Sequence, residues 1–258
     1  MDYGDILFAG TYDSACNKLD RLQVEAMRIV SGATARSNIK ELFKETKWQP
    51  LSVRRDQHVL CFFYKIVNNL SPQYLKDILT EIDEHSTNYG LRSRSNIRVP
   101  FARTETYRRS FFPNAIRKWN KLPENICQLP SYFTFSETLK KAKEKVPEHY
   151  FIGDRWSAIQ HARLRIGCSK LNSHLCNNLH VIPRPSCQCG FYNEDPAHFF
   201  LECPLYFHQR VALVTEIGTD DLINIETLLY GTKQYDKRVN EKVTSAVHRF
   251  IIDSKRFL

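Results

Sequence analysis

The sequence predicts a mainly α fold, and two observations carry that expectation. Apolar residues recur three and four positions apart along much of the 258-residue chain, the period of helices with one buried face. Residues that start and stop helices bracket those runs. A third observation, the uneven distribution of charge and cysteine, divides the chain into regions spanning 1–82, 83–150 and 151–258.

The first region reads as an antiparallel helical cluster. Leu19, Leu22, Ala26 and Ile29 share a helical spacing, with Ser14 as cap and Gly32 as left-handed stop. A short helix over 38–45 follows, then a longer one after Pro50 that sends Leu51, Val59, Phe62, Phe63 and Ile66 to the core. Ser71 and Pro72 supply a cap and a first-turn proline ahead of Tyr74, Leu75, Ile78 and Leu79.

Residues 86–122 differ in kind. Arg92, Arg94, Arg98, Arg103, Arg108, Arg109, Arg117, Lys118 and Lys121 face the single acid Glu105, and Tyr89, Phe101, Tyr107, Phe111, Phe112 and Trp119 run among them. An extended or weakly stranded stretch to about Arg109 is expected, then a short helix from Pro113 to Trp119. Another helix covers about 134–145, with Thr134 and Glu137 as a capping box and Pro147 as its end.

The last region opens with a helix carrying Trp156, Ile159, Ala162 and Ile166, whose other side shows Arg155, Arg163 and Arg165. A second helix takes in Leu171, Leu175 and Leu179. Prolines and Gly190 force turns between 183 and 196, and helices resume near His198, after Pro204, and over 221–230 and 236–253.

Composition narrows the function. Lys and Arg number 37 against 28 Asp and Glu, a net charge of +9, and 42% hydrophobic residues suffice for a core. No run is apolar enough to span a bilayer and the start has no signal-peptide pattern, so a soluble intracellular protein, nuclear or cytoplasmic, is expected, with no membrane partner. The 9 glycines form no GxGxxG or GxxxxGK[ST] loop, which removes the common nucleotide-cofactor enzymes. No small-molecule substrate is expected.

Cys16, Cys61 and Cys127 are scattered, whereas Cys168, Cys176, Cys187, Cys189 and Cys203 fall within 36 positions. Within that crowd Cys187, Cys189, His198 and Cys203 form C-x-C-x8-H-x4-C, four donors suited to one structural zinc ion. Gly190 frees the backbone to turn after the cysteine pair. His198 and Cys203 cannot share the face of one regular helix, because five positions amount to about 500° of rotation. Pro204 is expected to break the chain there, with His198 on a short helix and Cys203 at the following corner. The alternative is buried thiols beside an ordinary histidine. Cys168, Cys176, His174 and His180 stand outside the compact pattern and are expected to pack rather than ligate.

The stretches HARLRIGCSKLNSHL (161–175) and CQCGFYNEDPAHFFLECPLY (187–206) resemble the carboxy-terminal end of LINE-type, jockey-like non-LTR retrotransposon reverse transcriptases, with their CCHC zinc knuckle. DYGDILFAG (2–10), VRRDQHVLCFFYKIVN (53–68) and YRRSFFPNAIRKWNKLPENI (107–126) are similar to the region that follows the polymerase palm in those proteins, and LLYG (228–231) and FIIDSKRF (250–257) to their last residues. The resemblance implies a thumb-like region over 1–82, a linker over 83–150 and a helical zinc-knuckle domain over 151–258, lacking the palm. Cys168 departs from it, standing where many such proteins carry His.

Polymerase chemistry needs paired carboxylates on two metal ions, in that family on an aromatic-x-Asp-Asp hairpin. Asp220 and Asp221 are the only adjacent aspartates and read as a helix cap and first-turn acid, so no catalytic residue is assigned. The chain is expected to bind RNA, DNA or their hybrid, with a polymerase palm supplied in trans as a further partner. Arg92, Arg94, Arg98, Arg103 and Arg163 are the candidate phosphate contacts. Against this, Phe111, Phe112, Ile116 and Trp119 suit a core, and Arg108, Arg109 and Arg117 suit pairing with acids. A retroelement remnant without activity, or a zinc-stabilised protein interaction module, is the competing reading. Asp253-x-Lys255 resembles half a nuclease motif, but only 55 residues follow Cys203.

Overall fold

The computed structural model describes residues 3–8, 10–84, 97–140, 147–232, 234 and 236–258, and every regular element among them is helical. Helices α1 (Asp5–Phe8), α2 (Asp13–Ser31), α3 (Ile39–Thr46), α4 (Leu51–Val67) and α5 (Gln73–Glu84) precede α6 (Glu105–Arg109), α7 (Phe111–Trp119), α8 (Glu124–Cys127) and α9 (Tyr132–Leu139). Then come α10 (Arg155–Ile166), α11 (Asn172–Asn177), α12 (Phe207–Ile217), α13 (Ile225–Tyr230) and α14 (Lys237–Ser254). The fold is mainly α.

Two compact units emerge, Met1–Gln23 with Gln49–Glu144, and Val24–Trp48 with Lys145–Leu258. They divide the chain differently from the three regions of the sequence. No boundary falls near 82, and residues 24–48 group with the carboxy-terminal half.

In the first unit α4 is the central element. Val59, Phe63 and Ile66, spaced as one helical face, are wholly buried and meet Ala115, Ile116 and Trp119 of α7 and Phe135 of α9. The Tyr64 and Phe135 rings stack at 4.4 Å, and Trp119 meets Phe63 edge-on at 5.5 Å. Each such side chain contributes about 1.5–3 kcal/mol by leaving water. The Tyr64 hydroxyl donates to the Leu129 carbonyl at 2.6 Å, so its polar tip is satisfied inside the cluster.

Several boundaries move. The stretch expected to stay extended to Arg109 instead turns into α6, because the Thr104 hydroxyl accepts from the Tyr107 N–H at 3.2 Å. Helix α9 starts before Thr134, since Ser131 is extended (φ −130°, ψ 147°) and its hydroxyl accepts from the Thr134 N–H. Helix α9 closes at Leu139, and the rest of the expected 134–145 helix lies outside the described residues.

Helix α2 buries a different face from the one its apolar residues suggest. Leu22 and Ile29 are 55% and 70% exposed, while Gln23, Met27 and Ser31 are buried. Gln23 is matched on both sides of its amide, donating to the Gln49 carbonyl at 2.7 Å and accepting from the Leu51 N–H at 3.0 Å. Ser31 donates to the Met27 carbonyl. Satisfied polar groups bury at little cost, so they can hold a helix face that hydrophobicity alone assigns elsewhere. On α5 likewise, Leu79 is buried but Tyr74 and Ile78 are exposed.

The second unit is built around α10, α12 and α14, with Phe199, Phe200, Val247, Phe250, Ile251 and Phe257 in one buried cluster. Asp154 caps α10 by accepting from the N–H groups of Trp156 and Ser157. Gly32 ends α2 at φ +65°, and a side chain there would collide with Ile159. Cys168 packs with Met27, Leu42 and Ile166, in the core role expected of it.

Arg165, expected on an open helix side, is buried instead. Its Nη2 donates to Glu45 at 2.7 Å and its Nε at 2.9 Å, while Tyr150 (2.9 Å) and His149 (3.3 Å) also reach that carboxylate. Burial alone would raise the Glu45 carboxyl, but the His149 hydrogen bond and the Arg165 charge together hold it down at about 2.

Candidate metal centre

The loop between α11 and α12 brings Cys187, Cys189, His198 and Cys203 together, with all four ligand atoms within 4.8 Å of one another. Cys187 Sγ lies 3.7 Å from Cys203 Sγ, and Cys189 Sγ lies 3.3 Å from His198 Nε2. A disulfide would close to about 2.05 Å. Two thiolates 2.3 Å from a tetrahedral ion stand about 3.8 Å apart, close to the spacing found. The group can hold one metal ion and is compatible with zinc. Among the described residues no other cluster of three or more such donors occurs, and Cys176, His174 and His180 stay outside this one.

Local folding explains the spacing. Cys187 donates its N–H to the Phe191 carbonyl at 2.9 Å and accepts at its own carbonyl from Gly190 at 3.0 Å, closing a tight turn in which Gly190 sits at φ +95°. Few residues other than glycine take that backbone angle. At the other edge, residues His198–Glu202 form a wide turn in which the Cys203 N–H reaches the His198 carbonyl, 2.8 Å away and five residues back. This π-type turn brings positions 198 and 203 round to one side, which a regular helix would not do. Cys203 then leaves the turn at φ −59°, ψ 119°, ahead of a single 3-10 turn over Pro204–Tyr206. The corner at Cys203 is as expected. The wide turn before it was not.

Three groups fix His198, two at its ring and one at its backbone N–H. The Phe191 ring lies flat against the imidazole, centroids 4.2 Å apart and planes within 1°. Asp195 accepts from the His198 N–H at 2.8 Å and fixes the start of the turn. Buried Nδ1 faces Glu202 Oε2 at 3.5 Å and has no closer partner. A proton on Nδ1 directed at that carboxylate leaves the Nε2 lone pair for a metal, the usual arrangement behind a ligating histidine.

Neighbouring elements lock the loop. Arg210 donates to the carbonyls of Phe200 (2.9 Å) and Cys203 (2.6 Å). Glu194, almost wholly buried, receives two bonds of 2.7 Å from Arg256 and one of 2.9 Å from the Asn172 N–H. Asn172 in turn donates to Ser186, and Lys170 to the Phe257 carbonyl. The D-x-x-H spacing of Asp195 and His198 is a capping pattern legible in sequence. Nothing in the sequence marks Arg256.

The thiols do not ionise alike. Burial pushes Cys187 up to about 12 and raises Cys203. Burial also opposes ionisation of Cys189, yet the Phe191 N–H and the Cys187 and His198 groups overcome it and bring that thiol down to about 7. Crowded sulfurs shed their remaining protons when a dication arrives to replace them.

Of the candidate phosphate contacts, three are among the described residues. Arg92 and Arg94 lie outside the described residues. Arg98 is half-buried and Arg103 exposed, both in the first unit. Arg163, in the second, donates from Nε to the Gly32 carbonyl at 2.7 Å. Arg108 and Arg109 pair with Glu105, Arg109 also with Asp13, and Lys118 with Asp56 at 2.6 Å. Asp220 and Asp221 lie on a short 3-10 turn, and the cap of α13 is Asn224 rather than either of them. A cavity of about 600 Å³ in the second unit is floored by the Glu45–Arg165 pair, already matched internally. No helix among the described residues is long and apolar enough to cross a membrane. No protein-family model, curated protein or solved structure matches the chain.

Proposed function

We propose that this chain is a nucleic-acid-binding module, for RNA or target DNA, equivalent to the carboxy-terminal part of a LINE-type reverse transcriptase without its catalytic palm. One structural zinc ion sits on Cys187, Cys189, His198 and Cys203, and the palm is supplied in trans. The observation that carries this reading is the closed Cys3His cluster in a chain of net charge +9. Four protein donors fill a tetrahedral ion and leave no position for water, so the metal folds the loop and catalyses nothing. Arg92, Arg94, Arg98, Arg103 and Arg163 contact phosphate, and nuclear or cytoplasmic residence follows from such a ligand. The chain is not itself an enzyme.

Filter binding of single-stranded RNA at 50 and 200 mM salt tests this. Tight binding that weakens by about a hundredfold or more across that range is expected, because several phosphate contacts release counterions. Absence of binding at either salt supports the second reading, an inactive remnant or zinc-stabilised protein interaction module. The pairing of Arg108, Arg109 and Lys118 with acids of the same unit favours that alternative.

A further inference from the structure

The metal loop ends in an aromatic ring with no use in the site just described. Tyr192 is 75% exposed, although it follows the half-buried Phe191. Its ring packs on Phe191 with centroids 4.6 Å apart, and Phe191 lies flat on His198, so three rings climb from the donor cluster to solvent. The backbone on either side is pinned by Cys187 N–H to Phe191 carbonyl (2.9 Å) and Glu194 N–H to Pro185 carbonyl (2.7 Å). A ring fixed in this way loses little conformational freedom when something covers it.

Cations stand on the segments tied to this loop, Lys170 among them with its ammonium also donating to the Phe257 carbonyl at 3.2 Å. Lys170, Arg184 and Lys255 are exposed, and the clasp of Glu194, Arg256, Asn172 and Ser186 ties their segments to this loop. Of the acids in this loop, Glu194 is taken by Arg256 and Asp195 by the His198 backbone N–H and the Asn193 amide, while exposed Glu202 faces the His198 ring. A planar apolar face flanked by exposed cations suits a base with its phosphates, since every nucleobase offers a π-face whatever its sequence.

We propose that Tyr192 is a stacking platform for one unpaired base of a single-stranded nucleic acid, with Lys170, Arg184 and Lys255 taking adjacent phosphates. This rests on the nucleic-acid reading above and adds the place and manner of contact. The test uses the zinc-loaded full chain and a 12-nucleotide single-stranded RNA carrying 2-aminopurine, whose fluorescence is quenched by stacking. The native chain and Tyr192→Phe are expected to quench the probe. Tyr192→Ala and Tyr192→Leu are expected to bind about tenfold more weakly, with the quench lost and the salt dependence kept. The leucine variant retains bulk without a ring, and zinc content measured on each variant confirms an intact loop. Equal affinity and quench in the alanine and leucine variants overturn the proposal while the nucleic-acid reading stands, and leave the ring to a protein partner. Failure of the native chain to bind the oligonucleotide overturns both.

Discussion

The two units solve the same problem with different materials. The first holds together as an apolar ring cluster about Val59, Phe63, Trp119 and Phe135, and its buried charges, Arg55 and Asp5, each pair with a more exposed partner, Asp20 and His58. The second has a comparable aromatic core, yet it also buries a Glu45–Arg165 pair, His161 and His248, and a thiol-imidazole cluster. Apolar packing keeps its strength when pH or charge changes, because no ionisable group takes part. Buried polar groups do not, because removing one partner strands the other away from water. The second unit should therefore be the more conditional of the two, sensitive to metal, to charge and to pH.

Metal removal should break the units apart in behaviour most strongly. A structural zinc contributes on the order of 10 kcal/mol to the fold that holds it. EDTA, or Cys203→Ala, is expected to abolish hydrogen-exchange protection in α10–α14 and leave that of α4 and α7 in place. Equal protection of both units with and without chelator would remove the metal from the account.

A smaller effect comes from the charge pairs. Glu45→Gln leaves Arg165 buried without a counter-ion and should cost about 3–5 kcal/mol. Asp56→Asn, which opens the exposed Lys118 pair of the first unit, should cost less than about 1 kcal/mol. Urea midpoints of the two variants measure the contrast, and similar shifts would erase it.

The pH response is the finest discriminator. Burial first, and then the Arg165 charge, push His248 down to about 4, and burial also holds His161 well below its ordinary range. The unfolded chain takes up the His248 proton near pH 6.5 and the folded one resists until about pH 4. Stability is therefore full above pH 6.5 and falls as the pH drops through that window. His248 alone accounts for about 3 kcal/mol. Protonation of the metal ligands adds its own acid sensitivity, so the informative quantity is the difference between the native chain and His248→Gln. The variant should lose less stability than the native chain between pH 7 and pH 4.5, and identical losses would exonerate His248.

Much of this architecture is legible in the sequence, for identifiable reasons. Helix α4 is visible because its buried face is apolar apart from Arg55, and the four donors because their spacing suits one small ion. The face of α2 is hidden, since Gln23 and Ser31 are polar letters whose hydrogen bonds exist only in three dimensions. Arg165 reads as a solvent residue because its partner Glu45 lies 120 positions away. The pairing of residues 24–48 with the carboxy-terminal half is invisible for the same reason. The candidate phosphate contacts depend on surface geometry, which composition cannot supply.

The wide turn at His198 acts as a ruler. Between the two donors lie four side chains, of which Phe199 and Phe200 face inward while Glu202 is exposed. The outer position can be rewritten freely, whereas a single deletion would swing one donor by about 100° and scatter the set. In this stretch the number of letters is under stricter control than their spelling.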